Sequence, residues 1–153
     1  MKALILCLLA CSAWADTRAL GLRNNNPTNL KASSIAACKK WPGCVGMDNQ
    51  GHMKFRTPVQ GIQAAKINLR AYHRKYGINT INRIVNRWIE KPKDQSTPRQ
   101  YKRAVSEWTG YGVFEALDMR DRKTLELLTK AIIQYECGIQ PYMEWNFQVA
   151  FRD

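Results

Sequence analysis

From Pro58 onward, apolar residues return every three or four positions, and each run is closed by a residue that stops a helix. Pro58 sits near a helix start, and Ile62, Ala65, Ile67, Leu69 and Tyr72 form a stripe that ends at Gly77. Thr80 can cap a second helix carrying Ile81, Ile84, Val85 and Trp88, and Pro92 to Pro98 is a polar connection. A third helix from about Pro98 aligns Tyr101, Ala104, Val105 and Trp108. Asp121 or Lys123 opens a fourth, with Leu125, Leu128, Ala131, Ile132 and Tyr135 on one side until Gly138. The tail, with Tyr142, Trp145, Phe147, Val149 and Phe151, predicts a last short helix packed on the core. Residues 16–60 differ, being rich in Asn, Gly, Pro and Ser. Their short apolar pieces, Val45-Gly46-Met47 and Met53-Lys54-Phe55, flank a plausible turn at Asn49-Gln50-Gly51. The expectation is a mainly α fold with a small β-hairpin near the N-terminus and no internal repeat.

The first fifteen residues read differently again. Lys2 is followed by an uncharged apolar run from Ala3 to Leu9, and then by the small-x-small pattern Ala13-Trp14-Ala15. That is the layout of a cleavable signal peptide over residues 1–15, too short to span a membrane. A buried N-terminal helix is the plain alternative. Lipidation at Cys11 is another, although Leu9 fits a lipobox poorly. Cleavage leaves residues 16–153 as one domain of ordinary size, exported to the periplasm or secreted. No later segment is apolar for long enough to cross a bilayer, so no stable membrane insertion is expected.

Charge narrows the partners. The chain carries 24 basic and 12 acidic residues, a formal charge of +12, and loses only Lys2 with the signal. Such a surface is drawn to nucleic acid, anionic lipid or the bacterial wall. Export favours the wall, and no nucleic-acid-reading motif is present. Cys7 and Cys11 leave with the signal. Cys38 and Cys44 flank Lys39-Lys40-Trp41-Pro42-Gly43, whose Pro-Gly turn can bring them together as a disulfide, leaving Cys137 odd, either buried and reduced or paired with one of the other two. His52 and His73 lack metal-ligand spacing, so neither a metal nor another cofactor is expected.

The oddest stretch is Arg23-Asn24-Asn25-Asn26-Pro27-Thr28-Asn29-Leu30. Asn side chains cap turns, and they also hydrogen-bond sugar or amide groups. On composition alone, a loop that fixes the hairpin is the favoured reading. The stretch Gly21 to Lys31 also resembles the G-[IL]-R-N-N-N-P-G-N-[IL]-R opening of a group of phage and bacterial peptidoglycan-degrading proteins, some of them phage structural lysins. The resemblance continues through Gly61-Ile62-Gln63-Ala64, Trp88, Tyr101 and Ala131-Ile132-Ile133 to Glu136 and Gly138. It covers nearly all of the mature chain, and Thr28 stands where the family has Gly.

The resemblance implies a lysozyme-like domain acting on peptidoglycan, with one Glu kept protonated in a partly apolar pocket. No acid precedes Asn24 except Asp16, but the helix from Leu127 to Gly138 ends in Glu136 like a catalytic helix. A circularly permuted lysozyme-like fold would reconcile the two, bringing Glu136 against the Asn24–Asn29 loop. Glu136 is also poorly placed for helix stability, close to the negative end of the helix dipole. Glu90, Asp94 and Glu107 are weaker candidates. Arg23, Asn24, Asn25, Asn26 and Asn29 would bind substrate. Tyr101 and Tyr142 could stack on sugar, and Gln140 could orient an acetamido group. The absence of an evident partner acid tilts the expectation from lysozyme toward lytic transglycosylase chemistry, in which the substrate's own hydroxyl closes an anhydro ring. The expected protein is a monomeric peptidoglycan glycosidase. The alternatives are a lysin that cuts peptide cross-links and a wall-binding module that does not cut.

Overall fold

A computed structural model describes residues 19–89 and 96–152, so the signal peptide expected over residues 1–15, together with Asp16, Glu90 and Asp94, lies outside the described residues. In chain order the elements are α1 (Leu20–Arg23), α2 (Ile35–Cys38), β1 (Cys44–Met47), β2 (Met53–Phe55), α3 (Pro58–Tyr76), α4 (Ile81–Trp88), α5 (Ser96–Thr109), α6 (Arg122–Cys137) and α7 (Glu144–Ala150). The fold is mainly helical, with one two-stranded antiparallel hairpin near its N-terminus.

Local chemistry sets the long helices. α3 opens with a capping box: the Gln60 amide donates to Thr57 Oγ1 at 3.3 Å and the Thr57 amide to Gln60 Oε1 at 3.2 Å. Pro58 occupies the first turn, where its missing N–H has no helical partner to lose. Thr80 caps α4 by accepting from the Arg83 amide, and Asp121 caps α6 by accepting from the Thr124 amide at 2.7 Å. α6 stops where Gly138 turns left-handed, at φ 73°, a conformation that glycine adopts without strain.

The inward faces of α3 to α7 share one core, with Ile62, Leu69, Ile84, Val105, Leu128 and Phe147 fully enclosed. Each such side chain contributes about 1.5–3 kcal/mol by leaving water, so this cluster dominates the stability. Ile67 is exposed, because it sits two residues from both Ala65 and Leu69 and so points away from their face. Trp108, in the last turn of α5, and Trp145, in the first turn of α7, also face outward instead of joining the core. Among the described residues, no helix is long and apolar enough to cross a membrane.

The hairpin pairs Cys44 with Phe55, Gly46 with Lys54 and Met47 with Met53, with an irregularity between Cys44 and Gly46. Its turn is tied by Asp48 Oδ1, which accepts from the amides of Gln50 and His52, each at 2.9 Å. Beneath it a second, smaller core gathers Cys38, Met53, Phe55 and Ala64. The Cys38–Cys44 disulfide is formed, with Cα atoms 5.7 Å apart, and fastens α2 to β1. Cys137 is a free thiol. The short helices α1 and α2 fall where the sequence predicts only loop.

Candidate functional site

The Asn run is folded by its own side chains. Asn26 is fully buried: its amide nitrogen donates to Leu30 O at 2.8 Å and Met53 O at 2.9 Å, and its oxygen accepts from the Leu30 amide at 3.0 Å. Asn24 donates to Asp48 Oδ2 at 3.0 Å, and Asn25 to Phe55 O at 3.1 Å. Three of the four asparagines therefore bind the loop to the hairpin, as the plain reading of the stretch predicts. Arg23 is exposed at the end of α1. Gly61 lets the loop press on α3, because a Cβ there would run into the Asn25 carbonyl and come within 2.9 Å of Pro27 Cδ.

Asn29 does something else. Its backbone is left-handed at φ 52°, which Asn tolerates better than most residues, and its side chain turns toward α6. Asn29 Nδ2 donates to Glu136 Oε2 at 3.0 Å, although the two residues are 107 apart in sequence. Tyr101, from α5, donates its hydroxyl to Glu136 Oε1 at 2.9 Å. Burial pushes the Glu136 carboxyl above the usual carboxylate range, and the donors Asn29 and Tyr101, with the charge of His52, pull it back only in part. The position in the last turn of α6 acts in the same upward direction through the helix dipole. Both direct donors are uncharged, and burial followed by the Glu136 charge raises Tyr101 well above its ordinary value, so its proton stays in place. The result is a half-buried carboxyl that is oriented at both oxygens yet has no cationic hydrogen-bond partner among the described residues.

Tyr101 thus has a role different from the expected sugar platform. It is fully enclosed, and its ring face is covered by Tyr135, stacked at 3.8 Å between centroids. Tyr142 packs edge-on against Phe147, with centroids 6.5 Å apart, as part of the core margin. Gln140 turns its amide back to Lys130 O at 3.1 Å rather than joining the Glu136 group. Glu107 is exposed and paired with Arg103 at 2.7 Å.

Sequence reasoning missed a neighbouring pair. His52 is buried at the hairpin turn, with Nδ1 3.0 Å from Asp48 Oδ2. Asp48 sits at about 2: burial works to raise it, but the amides of His52 and Gln50 and the side chains of Asn24 and His52 stabilise its charge. Its oxygens are taken up by these contacts, which makes it an anchor of the turn. The available signal was an Asp and a His bracketing Asn49-Gln50-Gly51. Cys137 donates its thiol to Pro27 O at 3.4 Å, and burial followed by the Glu136 charge pushes it up to about 11. Among the described residues no three His, Cys, Asp or Glu side chains gather as metal ligands.

A cleft of about 930 Å³ has Asn29 in its wall, and through Asn29 it adjoins the Glu136 carboxyl. Across from the Asn29–Lys31 segment lies α4, whose Trp88 donates its indole N–H to Thr28 O at 3.3 Å and meets Tyr72 edge-on at 5.8 Å. Tyr72 and Trp88, rather than Tyr101 or Tyr142, are the aromatic residues that line this space.

No family model matches the chain. It is 34% identical over 138 residues to Protein P5 of Pseudoalteromonas phage PM2, in an alignment spanning 84% of this chain and 82% of P5. On identity of that extent over most of both sequences, the chain belongs to the same family as Protein P5 of Pseudoalteromonas phage PM2.

Proposed function

We propose that the chain is an exported peptidoglycan-degrading enzyme, a lysozyme or lytic transglycosylase on a permuted lysozyme-like fold, that cuts the glycan strand with Glu136 as its one catalytic acid. The observation that carries this reading is the Glu136 carboxyl itself. It is half-buried, raised by burial from its ordinary value, and fixed at both oxygens by Tyr101 and by Asn29, which lines an open cleft. In its protonated form, which burial favours, a carboxyl so held can donate to a glycosidic oxygen as the bond breaks, and the carboxylate left behind can then take the proton of the attacking hydroxyl. That hydroxyl belongs either to water or to the cleaved sugar. Asp48 is a poor candidate for a second acid, because its oxygens are bound in the hairpin turn. Peptide-bond cleavage through Cys137 is disfavoured, because a thiol at about 11 is almost wholly protonated near neutral pH. The basic surface would hold the enzyme on the anionic wall.

The test is the clearing of purified sacculi followed by turbidity. Wild type should clear them and Glu136→Gln should lose at least about a hundredfold, the lower range for removing a general acid. Equal clearing by both proteins would overturn the assignment of Glu136.

A further inference from the structure

The cleft walled by Asn29, the residue that holds Glu136, carries positive charge that the proposed proton transfer does not use. Arg83 and Arg87 lie four residues apart on α4, so they share a face and repel each other, and both line the cleft. Neither guanidinium is loose. Arg83 donates from Nη1 to Gly77 O at 3.0 Å and from Nη2 to Tyr76 O at 3.3 Å, which fastens it to the end of α3. Arg87 lies over the Tyr76 ring at 4.0 Å and near the Tyr72 ring at 5.3 Å. Lys31 approaches from the loop side.

Among the described residues no carboxylate pairs with any of these three, and no Asp or Glu lines the cleft. Basic residues elsewhere do find acids, as Arg103 does with Glu107 and Lys130 with Glu126 and Glu144. Two immobilised guanidiniums with N–H groups to spare and no counter-charge among the described residues are pre-organised for an incoming anion. The amides of Asn68 and Asn86 in the same wall can serve the uncharged parts of such a ligand.

We propose that Lys31, Arg83 and Arg87 form a carboxylate-binding subsite that holds the peptide stem carried by the muramyl sugar, while the glycan reaches Glu136. The identity of the carrier rests on the glycan-cutting reading; the preference for a carboxylate does not. Binding of muramyl dipeptide, which has one free carboxylate, is compared with that of its neutral methyl ester. The titration uses the Glu136→Gln protein and follows the indole N–H resonance of Trp88. The free acid should bind about tenfold more tightly, as expected for a charge-assisted contact. The preference should vanish in Arg83→Gln/Arg87→Gln and weaken in Lys31→Gln, which touches neither α4 nor its anchors and so reports even where the double variant unfolds. Equal binding of both forms, no binding of either, or a preference that survives both substitutions would overturn the subsite. The probe has no glycan bond to cut. A preserved preference in a protein that fails to clear sacculi would therefore sink the glycan-cutting reading alone.

Discussion

Replacing Glu136 by Gln should make this protein more stable at neutral pH while disabling it. The carboxyl is half-buried, with hydrogen bonds from Asn29 at 3.0 Å and Tyr101 at 2.9 Å but no ion pair among the described residues. Its pKa in the fold lies above that of an unfolded Glu, so the folded chain is favoured while the group is protonated. That stability is fully present below the unfolded pKa and is lost as pH rises through the folded one. A neutral amide of the same shape avoids the loss. It can also be satisfied, because Asn29 Oδ1 is buried without a partner and would accept from Gln Nε2 after an amide flip. The gain should be about 1 kcal/mol, the low end of what a poorly compensated buried polar group costs. For a chain of this size that corresponds to a Tm higher by roughly 3 °C. Thermal unfolding by circular dichroism between pH 4 and 8 should show the two proteins nearly equal at the acid end and separating as pH rises. A variant less stable than wild type at pH 8 would refute the idea that Glu136 is held in place at a cost.

The surrounding groups lead to further expectations. Tyr101→Phe keeps the stack on Tyr135 but removes a donor that lowers Glu136, so the alkaline limb of the pH–activity profile should move upward. Asn29→Gly keeps the left-handed backbone and loses only the contact to Glu136, whereas Asn29→Ala loses both; Asn29→Ala should be the less stable by about 1 kcal/mol in urea unfolding. Gly61→Ala should destabilise by about 2 kcal/mol or more, because the added methyl meets the Asn25 carbonyl, which is backbone and cannot swing aside. Reducing Cys38–Cys44, which closes a loop with a sequence separation of 6, should lower stability by about 2 kcal/mol, measurable as a shift in the denaturant midpoint.

Much of the helical framework is legible in the sequence, because its signals are local. Thr80, Asp121, Gly77 and Gly138 mark helix ends by side-chain capping and by left-handed backbone, and they act within a few residues. The contact between the Asn24–Asn29 loop and Glu136 follows only from the resemblance together with the missing acid upstream, since no local pattern links residues 107 apart. The roles of the aromatics are the least legible. Tyr101 and Trp88 look alike on their helices, and only packing decides that Tyr135 covers the first while the second lines a cleft. The Asp48–His52 pair stays hidden for a similar reason: a turn brings together two residues that each look like ordinary loop polarity.

What matters most is the proposed cleavage of the glycan strand by Glu136. It is tested most directly by digesting purified peptidoglycan with wild type and with Glu136→Gln, then weighing the soluble fragments by mass spectrometry. Wild type should release muropeptides ending in anhydro sugars or new reducing ends, and the variant none above background. Fragments with new amino termini and intact glycan, or the same glycan fragments from both proteins, would contradict it.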